Sequence, residues 1–390
     1  MPANDVLIRE FQMSAAPARF VDPSTNKTYD MDEPRWRAES GSPLMVESLP
    51  GISRDDIDKA SRTLWRYAAA LPVEIGQPVS LGEGCTPMVE RKVGGKTGLF
   101  KLEWFSPTCS FKDKGAAVMV SFLKQLGVPA ILEDSSGNGG AAIAAYGTAA
   151  GMRVRILAPE SASPAKIAQM QVFGAEVQLV PGPRDATERE ALRQAEKIFY
   201  ASHNWHPFFL QGTKMTAYEI WEDLGYKAPD NVIITTGAGS NVLGCDIGFS
   251  ELLAAGQIDR LPRLFGAQPA HCAPITASWR ANTFDALSID VAPTIAEGAS
   301  IRFPVRLRQV LEAIRRSNGK MVAVSEDQIA AALFDLAASG LFVEPTSAVA
   351  NAAFQSLVEA GEIDARETTV ILLTGAGVKS PAYVQSRFGN

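Results

Sequence analysis

The chain has 390 residues, 46% of them apolar and 21% charged, with a net charge of −6, a composition ordinary for a globular protein long enough for two domains and a substantial core. The acidic balance gives no general electrostatic reason to bind nucleic acid or an anionic membrane, since both call for clustered positive charge. Cys85, Cys109, Cys245 and Cys272 stand far apart with no CxxC pair, so neither a disulfide framework nor a zinc site is suggested, and the protein reads as cytoplasmic and reduced.

In chain order, Met1 to Phe11 carries Asp5, Arg9 and Glu10 inside its apolar stretch, which argues against a secretion signal. Val21 to Pro50, rich in Pro and Asp, reads as an irregular N-terminal extension. From Gly94 onward short apolar runs alternate with helical stretches. Gly98 to Leu102 reads as a strand and Lys112 to Leu126 as a helix; Val128 to Leu132 and the helical Ala141 to Ala150 follow. Val154 to Ala158 and Glu176 to Val180 are further strands around the helical Pro164 to Phe173, with Pro181-Gly182-Pro183 as a loop. Strands at Val232 to Thr235 and Thr369 to Leu373 each run into a glycine-rich turn. Such alternation implies an α/β fold with largely parallel sheets, whose ligands collect at the carboxyl ends of strands. The most apolar segment, Ala141 to Gly151, falls short of the roughly 20 helical residues that span a bilayer. No internal repeat or low-complexity tract is present.

Four segments could carry chemistry. Ser110-Phe111-Lys112-Asp113 resembles a capping box with Ser110 as N-cap, placing Lys112 in the first turn of a helix. There the helix dipole disfavours an ammonium, as a lysine that must attack a carbonyl requires; a surface lysine on a capped helix fits the same pattern. Glu133 to Gly140, with Ser135-Ser136-Gly137-Asn138 at its centre, leads from a strand into an alanine-rich helix and converges N–H groups and hydroxyls on a helix N-terminus. It is either an anion site or a plain Asn-Gly turn. Thr235 to Gly244 could wrap a phosphate with backbone donors, but Val242 occupies the third glycine position of a dinucleotide fingerprint and no Walker lysine is present. Leu372 to Gly377 closes the last strand with the Thr374 hydroxyl and two glycines. Together these loops offer an amine, two anion cradles and a neutral hydroxyl, which suits a phosphorylated aromatic aldehyde and an amino-acid substrate.

From about Tyr29 to Pro381 the chain resembles the fold-type II pyridoxal 5′-phosphate (PLP) enzymes, and among them the threonine synthases. The resemblance is carried by Trp65-Arg66-Tyr67, Leu81 to Pro87, Ser106 to Gly115, Ser135 to Asn138, Thr236 to Asn241, Val343-Glu344-Pro345 and Leu373-Thr374-Gly375. It implies two open parallel-sheet α/β domains: a large PLP-binding domain over 76–122 and 206–390, and a smaller α/β domain over 123–205, the candidate for movement, after an N-terminal extension over 1–75. It also implies a homodimer and a small-molecule amino-acid substrate. Lys112 would be the Schiff-base lysine and general base, and Asn138 would pair with the PLP 3′-oxygen. Gly237, Ala238, Gly239, Ser240 and Asn241 would hold the phosphate, and Thr374 would face the pyridine nitrogen. Ser135, Ser136 and Gly137 would receive the substrate carboxylate. The nominal reaction converts O-phosphohomoserine to threonine; β-elimination or β-replacement on a serine- or threonine-like amino acid is the alternative. A non-catalytic paralogue that binds PLP or an amino acid is the reading from another class, and the intact lysine and both anion loops speak against it.

The chain also departs from the family's pattern. Phe209, expected at the substrate, stands where threonine synthases keep an arginine for the substrate phosphate, and losing that guanidinium fork removes the best phosphate ligand. Gly139 replaces a hydroxyl residue, Lys114 an arginine, and Thr294 to Gly298 resembles a stretch of the amino-acid dehydratases. Asp22 to Ser42 resembles a zinc ribbon whose four cysteine positions hold Asp22, Thr25, Ala38 and Ser40, so no metal is expected there. Cys85 and Cys109 read as packing residues. His203, His206 and His271 lack ligand spacing, which leaves packing or substrate contact.

Overall fold

The computed structural model describes residues 18–182 and 184–388; the reading of Met1 to Phe11, and Pro183 of the loop it belongs to, lie outside the described residues. Three two-residue strands open the chain, β1 (Phe20–Val21), β2 (Thr28–Tyr29) and β3 (Met45–Val46), paired antiparallel in the order β2-β1-β3. The expectation of a wholly irregular extension is therefore corrected. The pairing escapes sequence patterning because the strands are too short to show any alternation.

The hairpin β4 (Met88–Val93) and β5 (Lys96–Leu102) follows, then α1 (Lys112–Gln125). A second group comprises β6 (Ala130–Glu133), α2 (Asn138–Ala149), β7 (Arg153–Pro159), α3 (Pro164–Val172), β8 (Glu176–Val180), α4 (Arg184–Gln194) and β9 (Phe199–Tyr200). The chain then returns through α5 (Pro207–Thr213), α6 (Met215–Asp223), β10 (Asn231–Thr235), α7 (Ser240–Ala254), β11 (Arg263–Pro269) and α8 (Pro274–Arg280). It ends with α9 (Leu307–Arg316), β12 (Lys320–Val324), α10 (Glu326–Ala338), α11 (Pro345–Glu359), β13 (Thr369–Leu373) and α12 (Pro381–Phe388). Two main sheets result. One has the order β12-β11-β10-β13-β5-β4 and is parallel except for its β4 edge; the other is fully parallel with the order β8-β7-β6-β9.

The central strands are buried along their whole length, β10 as Asn-Val-Ile-Ile-Thr and β13 as Thr-Val-Ile-Leu-Leu, the continuous apolar run expected of a parallel strand covered on both faces. Because β10, β13 and β5 are neighbours, the two glycine-rich turns and the lysine-bearing loop emerge side by side at one sheet end. Helix α1 is buried from Asp113 to Leu123, and Phe122 stacks on Phe208 of α5 with ring centroids 3.6 Å apart. Beneath its first turn lies a buried ion cluster. Lys114 Nζ donates to Glu103 at 2.8 Å and to the Thr216 hydroxyl at 3.2 Å, and sits 3.0 Å from Glu219, which Lys101 approaches to 2.9 Å. Lys114 thus uses all three of its protons.

A hydrogen-bond network holds the ribbon-like segment. The buried Asp22 carboxylate accepts the Ser24 N–H at 2.9 Å, the Ser24 hydroxyl at 2.7 Å and the Thr25 hydroxyl at 2.8 Å, and Ser24 in turn contacts Ser40. Three of the four positions where the family has cysteines therefore meet in one polar knot. Burial pushes the Asp22 carboxyl up, but hydrogen bonds from Ser40, Ser24 and Thr25 outweigh it and hold the group well below the usual carboxylate range.

Two outcomes are expected in unfolding experiments. A depressed folded-state pKa stabilises above the ordinary carboxylate range, and the contribution is lost as pH falls below about 4 toward the folded value. Asp22→Ala should cost ~1–3 kcal/mol at neutral pH and less in acid, and a strong chelator should leave the wild-type melting curve unchanged. Lys114→Met should cost ~3–5 kcal/mol by urea unfolding, because it leaves two buried carboxylates facing Lys101 alone.

Candidate active site

The first turn of α1 is built differently from a Ser110-capped helix. The N-cap is Phe111, which makes no side-chain capping bond, and the Ser110 hydroxyl is buried without a partner among the described residues. The carboxylate of Asp113 instead reaches back to the Thr108 N–H at 2.7 Å and to its hydroxyl. The Phe111 N–H donates to the Thr374 carbonyl at 3.0 Å, and Ser110 bridges to Gly375, tying the lysine loop to the loop after β13. Lys112 is the first residue of α1, as expected.

Lys112 lines a cavity of about 190 Å³ at the carboxyl ends of β5, β6, β10 and β13. Ser135, Ser136, Gly137 and Asn138 line it from the turn into α2, Gly237, Ala238, Gly239, Ser240 and Asn241 from the turn into α7, and Thr374 from the end of β13. The structure therefore brings these residues together around one space. It does not bring Phe209 to the wall. That side chain is 0% exposed and lies behind the cavity, its ring centroid 5.6 Å from Lys112 Nζ.

Burial draws Lys112 down from 10.5 to about 8, against the opposing pull of Glu133 and Glu344; desolvation carries the depression that the sequence attributed to the helix dipole. Among the described residues Nζ has no hydrogen-bond or ion-pair partner and rests 4.6 Å from the Phe111 ring centroid. Gly239, in the left-handed region at φ +96°, is the N-cap of α7, and a Cβ there would come within 2.2 Å of Val310. This turn leaves the first N–H groups of α7 without intrahelical partners, a ready anion cradle. Both amide atoms of Asn241, 4% exposed, and Oδ1 of Asn138 are buried without partners among the described residues. A cavity holding an unpaired desolvated amine, an N–H cradle and orphaned amides fits a phosphorylated aldehyde with a ring hydroxyl. Thr374 adds only a neutral hydroxyl, 3.1 Å from that of Ser347.

Several groups at the cavity were not assigned from sequence. Glu344 accepts from Asn138 Nδ2 at 2.8 Å, with burial as the main cause of its raised pKa. Its signal lay in the Val343-Glu344-Pro345 motif. Lys166 of α3 pairs with Glu297 at 3.1 Å, and both line the cavity. His203 also lines it, with Nδ1 3.0 Å from the buried Glu133 carboxylate. No local pattern announces that pair, whose members are 70 residues apart.

The fold and the amine-plus-cradle site define a PLP-dependent enzyme of fold type II, and comparison with known proteins agrees. The family described as "Pyridoxal-phosphate dependent enzyme" matches residues 79–375. Relatives include threonine synthases from Methanocaldococcus jannaschii, 36% identical over 91% of both chains, and from Synechocystis, 32% identical over 85% of this chain and 88% of that one. Among solved structures, the processed threonine deaminase isoform 2 of Solanum lycopersicum superposes with TM-score 0.66 at 22% identity over 77% of this chain and 81% of its own. Maize serine racemase does so with TM-score 0.66 at 21% identity over 78% and 91%. The chain belongs to the pyridoxal-phosphate dependent enzymes. Within that family it is a lyase of the threonine synthase kind, with PLP as its cofactor.

Because the free amine reacts with the aldehyde, capture of added PLP by cofactor-stripped protein should rise as pH passes through about 8 and level off above it. An ordinary lysine would still be gaining reactivity above pH 10. Stopped-flow absorbance across pH 6–10 checks this, and Lys112→Ala should leave no cofactor fixed by borohydride.

Proposed function

We propose that the chain catalyses elimination or replacement at Cβ or Cγ of an amino acid, with O-phosphohomoserine and water giving threonine and phosphate as the nominal reaction. Bound PLP would supply an electron sink conjugated with the substrate Cα. The observation that carries the reading is the desolvated Lys112 amine, unpartnered among the described residues, facing two anion cradles across one cavity. Lys112 Nζ would hold the cofactor and then move protons at Cα and Cβ, its depressed pKa suiting it to act as a base near neutrality. The N–H groups from Gly237 to Asn241 would hold the cofactor phosphate, Asn138 the 3′-oxygen, and Thr374 would leave the ring nitrogen without a proton donor of carboxylate strength. Ser135, Ser136 and Gly137, ahead of the N-terminus of α2, would orient the substrate carboxylate.

A second reading, β-elimination from a serine- or threonine-like amino acid, is favoured by one feature. The position expected to carry a phosphate-binding arginine holds the buried Phe209 ring. We also propose that the four-stranded sheet belongs to a smaller domain over 123–205, set against a large domain over 76–122 and 206–390 behind an N-terminal extension over 1–75. A homodimer is supported by the apolar surface of Phe342, 46% exposed, and Val378, 64% exposed. A cytoplasmic setting is supported by four free cysteines, and among the described residues no helix is long and apolar enough to cross a membrane.

The test is phosphate and threonine formation from O-phosphohomoserine, run beside keto-acid and ammonia release from a panel of amino acids. Phosphate and threonine should appear with the wild type and vanish in Lys112→Ala. Ammonia release without phosphate release would replace the nominal reaction by the second reading.

A further inference from the structure

Two departures from the family pattern, Phe209 and Gly139, converge on one residue. A Cβ at Gly139 would come within 2.7 Å of both Cε1 and Nδ1 of His203 and 3.0 Å of the Ser135 hydroxyl. The imidazole therefore occupies the space that any side chain at position 139 would need. Phe209 meets the same imidazole edge to face, with centroids 5.6 Å apart and an interplanar angle of 62°. Its other side lies against Gly115, where a Cβ would meet the ring at 2.5 Å. The ring that replaces arginine is thus a packing wall for a histidine, and the glycine makes room for it.

The histidine is held from behind by charge. Glu133 Oε2 receives both the backbone N–H and the Nδ1 of His203 at 3.0 Å. Burial pushes the Glu133 carboxyl up, but the charge, ring and N–H of His203 together with the Asp134 N–H outweigh it, so it is held below its ordinary value. An ionised carboxylate only accepts, so Nδ1 is the donor in this pair, and Nε2 is the ring nitrogen that can serve the cavity His203 lines. The loop bearing it is fixed by Arg306, 2% exposed, which donates to the carbonyls of Asn204 and Trp205. Trp36 of the ribbon-like segment braces the other side, 5.4 Å from Trp205. Around the imidazole stand Glu133 and Asp134 from the end of β6, Lys112 from α1 behind the shared Phe209 ring, Arg306 ahead of α9, and Lys166 and Glu344 across the cavity.

We propose that His203, positioned by Glu133, donates the proton that accompanies an oxygen leaving group as it departs from the substrate side chain. The assignment rests on the reading of this cavity as the substrate site. As Lys112 takes the proton from the adjoining carbon, that C–H electron pair forms a carbon–carbon double bond, the bond between the side-chain carbon and oxygen breaks with its pair leaving on that oxygen, and the Nε2 proton of the imidazolium goes with it. His203 is left neutral, Glu133 stays ionised, and solvent returns the proton. An imidazolium–carboxylate pair carries no net charge, so it assists by donation rather than by Coulombic attraction for a dianion, which separates it from the guanidinium that position 209 lacks.

The test is a leaving-group series on the PLP-loaded enzyme, using a hydroxy amino acid and its O-acetyl and O-phospho derivatives, with wild type, His203→Asn, His203→Gln and Glu133→Gln. A proton donor matters most where the leaving group is poorest. The His203 variants should lose about 10²- to 10⁴-fold in kcat with the hydroxyl substrate, and less than about tenfold with the acetate. A uniform loss across the series, or none, overturns the assignment while leaving the proposed function standing. If the wild type turned over none of the three, the reading of the cavity would fail and this assignment with it. A second readout needs no turnover. The chain has three histidines, and His206, driven to about 3 by burial and then by Arg306, is silent at neutral pH. Histidine NMR titration of the holoenzyme, assigned with His203→Asn, should show the His203 pKa falling by about a unit or more in Glu133→Gln. An unchanged value would overturn the carboxylate's positioning role.

Discussion

Three consecutive residues at the head of α1 point to three different environments, and the site depends on their being held apart. Lys112 faces the cavity with its amine unpaired among the described residues, Asp113 turns back to Thr108, and Lys114 descends into the ion cluster with Glu103 and Glu219. A lysine amine is useful here only if it is desolvated, and desolvation alone would draw any nearby carboxylate toward it. The arrangement prevents that by engaging the nearest charged side chains elsewhere. Buried ion pairs of this kind add little to stability relative to a well-packed apolar core, but their partners cannot be exchanged at low cost. The turn is thereby fixed in one register, with Nζ over the space where the loops after β6, β10 and β13 meet.

Much of this was legible in the chain. The runs Val232 to Thr235 and Thr369 to Leu373 read as strands because covered parallel strands are apolar and short, and Glu176 to Val180 matched its strand to the residue although that strand is a partly exposed sheet edge. The edge strand β4 was not visible. Its Glu90, Arg91 and Lys92 are exposed, as edge strands tend to be, and only Gly94 and Gly95, both at positive φ, mark its hairpin turn. The Ser110 cap failed for a related reason. The capping-box pattern is symmetric enough that a downstream carboxylate bonding an upstream backbone looks the same in sequence as a serine bonding forward. The Glu133–His203 pair was beyond reach, since it is made by the pairing of β6 with β9, a contact that local periodicity does not encode.

The scaffold and the site carry different information about the reaction. Structures that superpose with TM-scores near 0.66 at 21–22% identity include a threonine deaminase and a serine racemase, so the fold does not choose among chemistries. The threonine synthase relatives match over most of the chain. Two of the departures, Gly139 lining the cavity and Phe209 behind it, both pack against the His203 imidazole. Changes that compensate sterically in this way preserve packing while altering what the wall can donate or accept.

The charge inventory of the cavity sharpens that distinction. Among the described residues its lysines are Lys112, whose pKa burial brings to about 8, and Lys166, already 3.1 Å from Glu297. Glu344 lines the same space and Glu133 stands behind His203. Among the described residues, the cavity offers a doubly charged phosphate little positive charge that is not already compensated. It must rely on fixed dipoles, the N–H groups at the heads of α2 and α7 and the serine hydroxyls beside them. Dipoles of this kind do not titrate and need no reorganisation as charge moves during a reaction. They hold a permanently bound phosphate well, whereas the donation proposed for His203 would matter most for an oxygen leaving group poorer than phosphate, whose departure needs a proton in the same step.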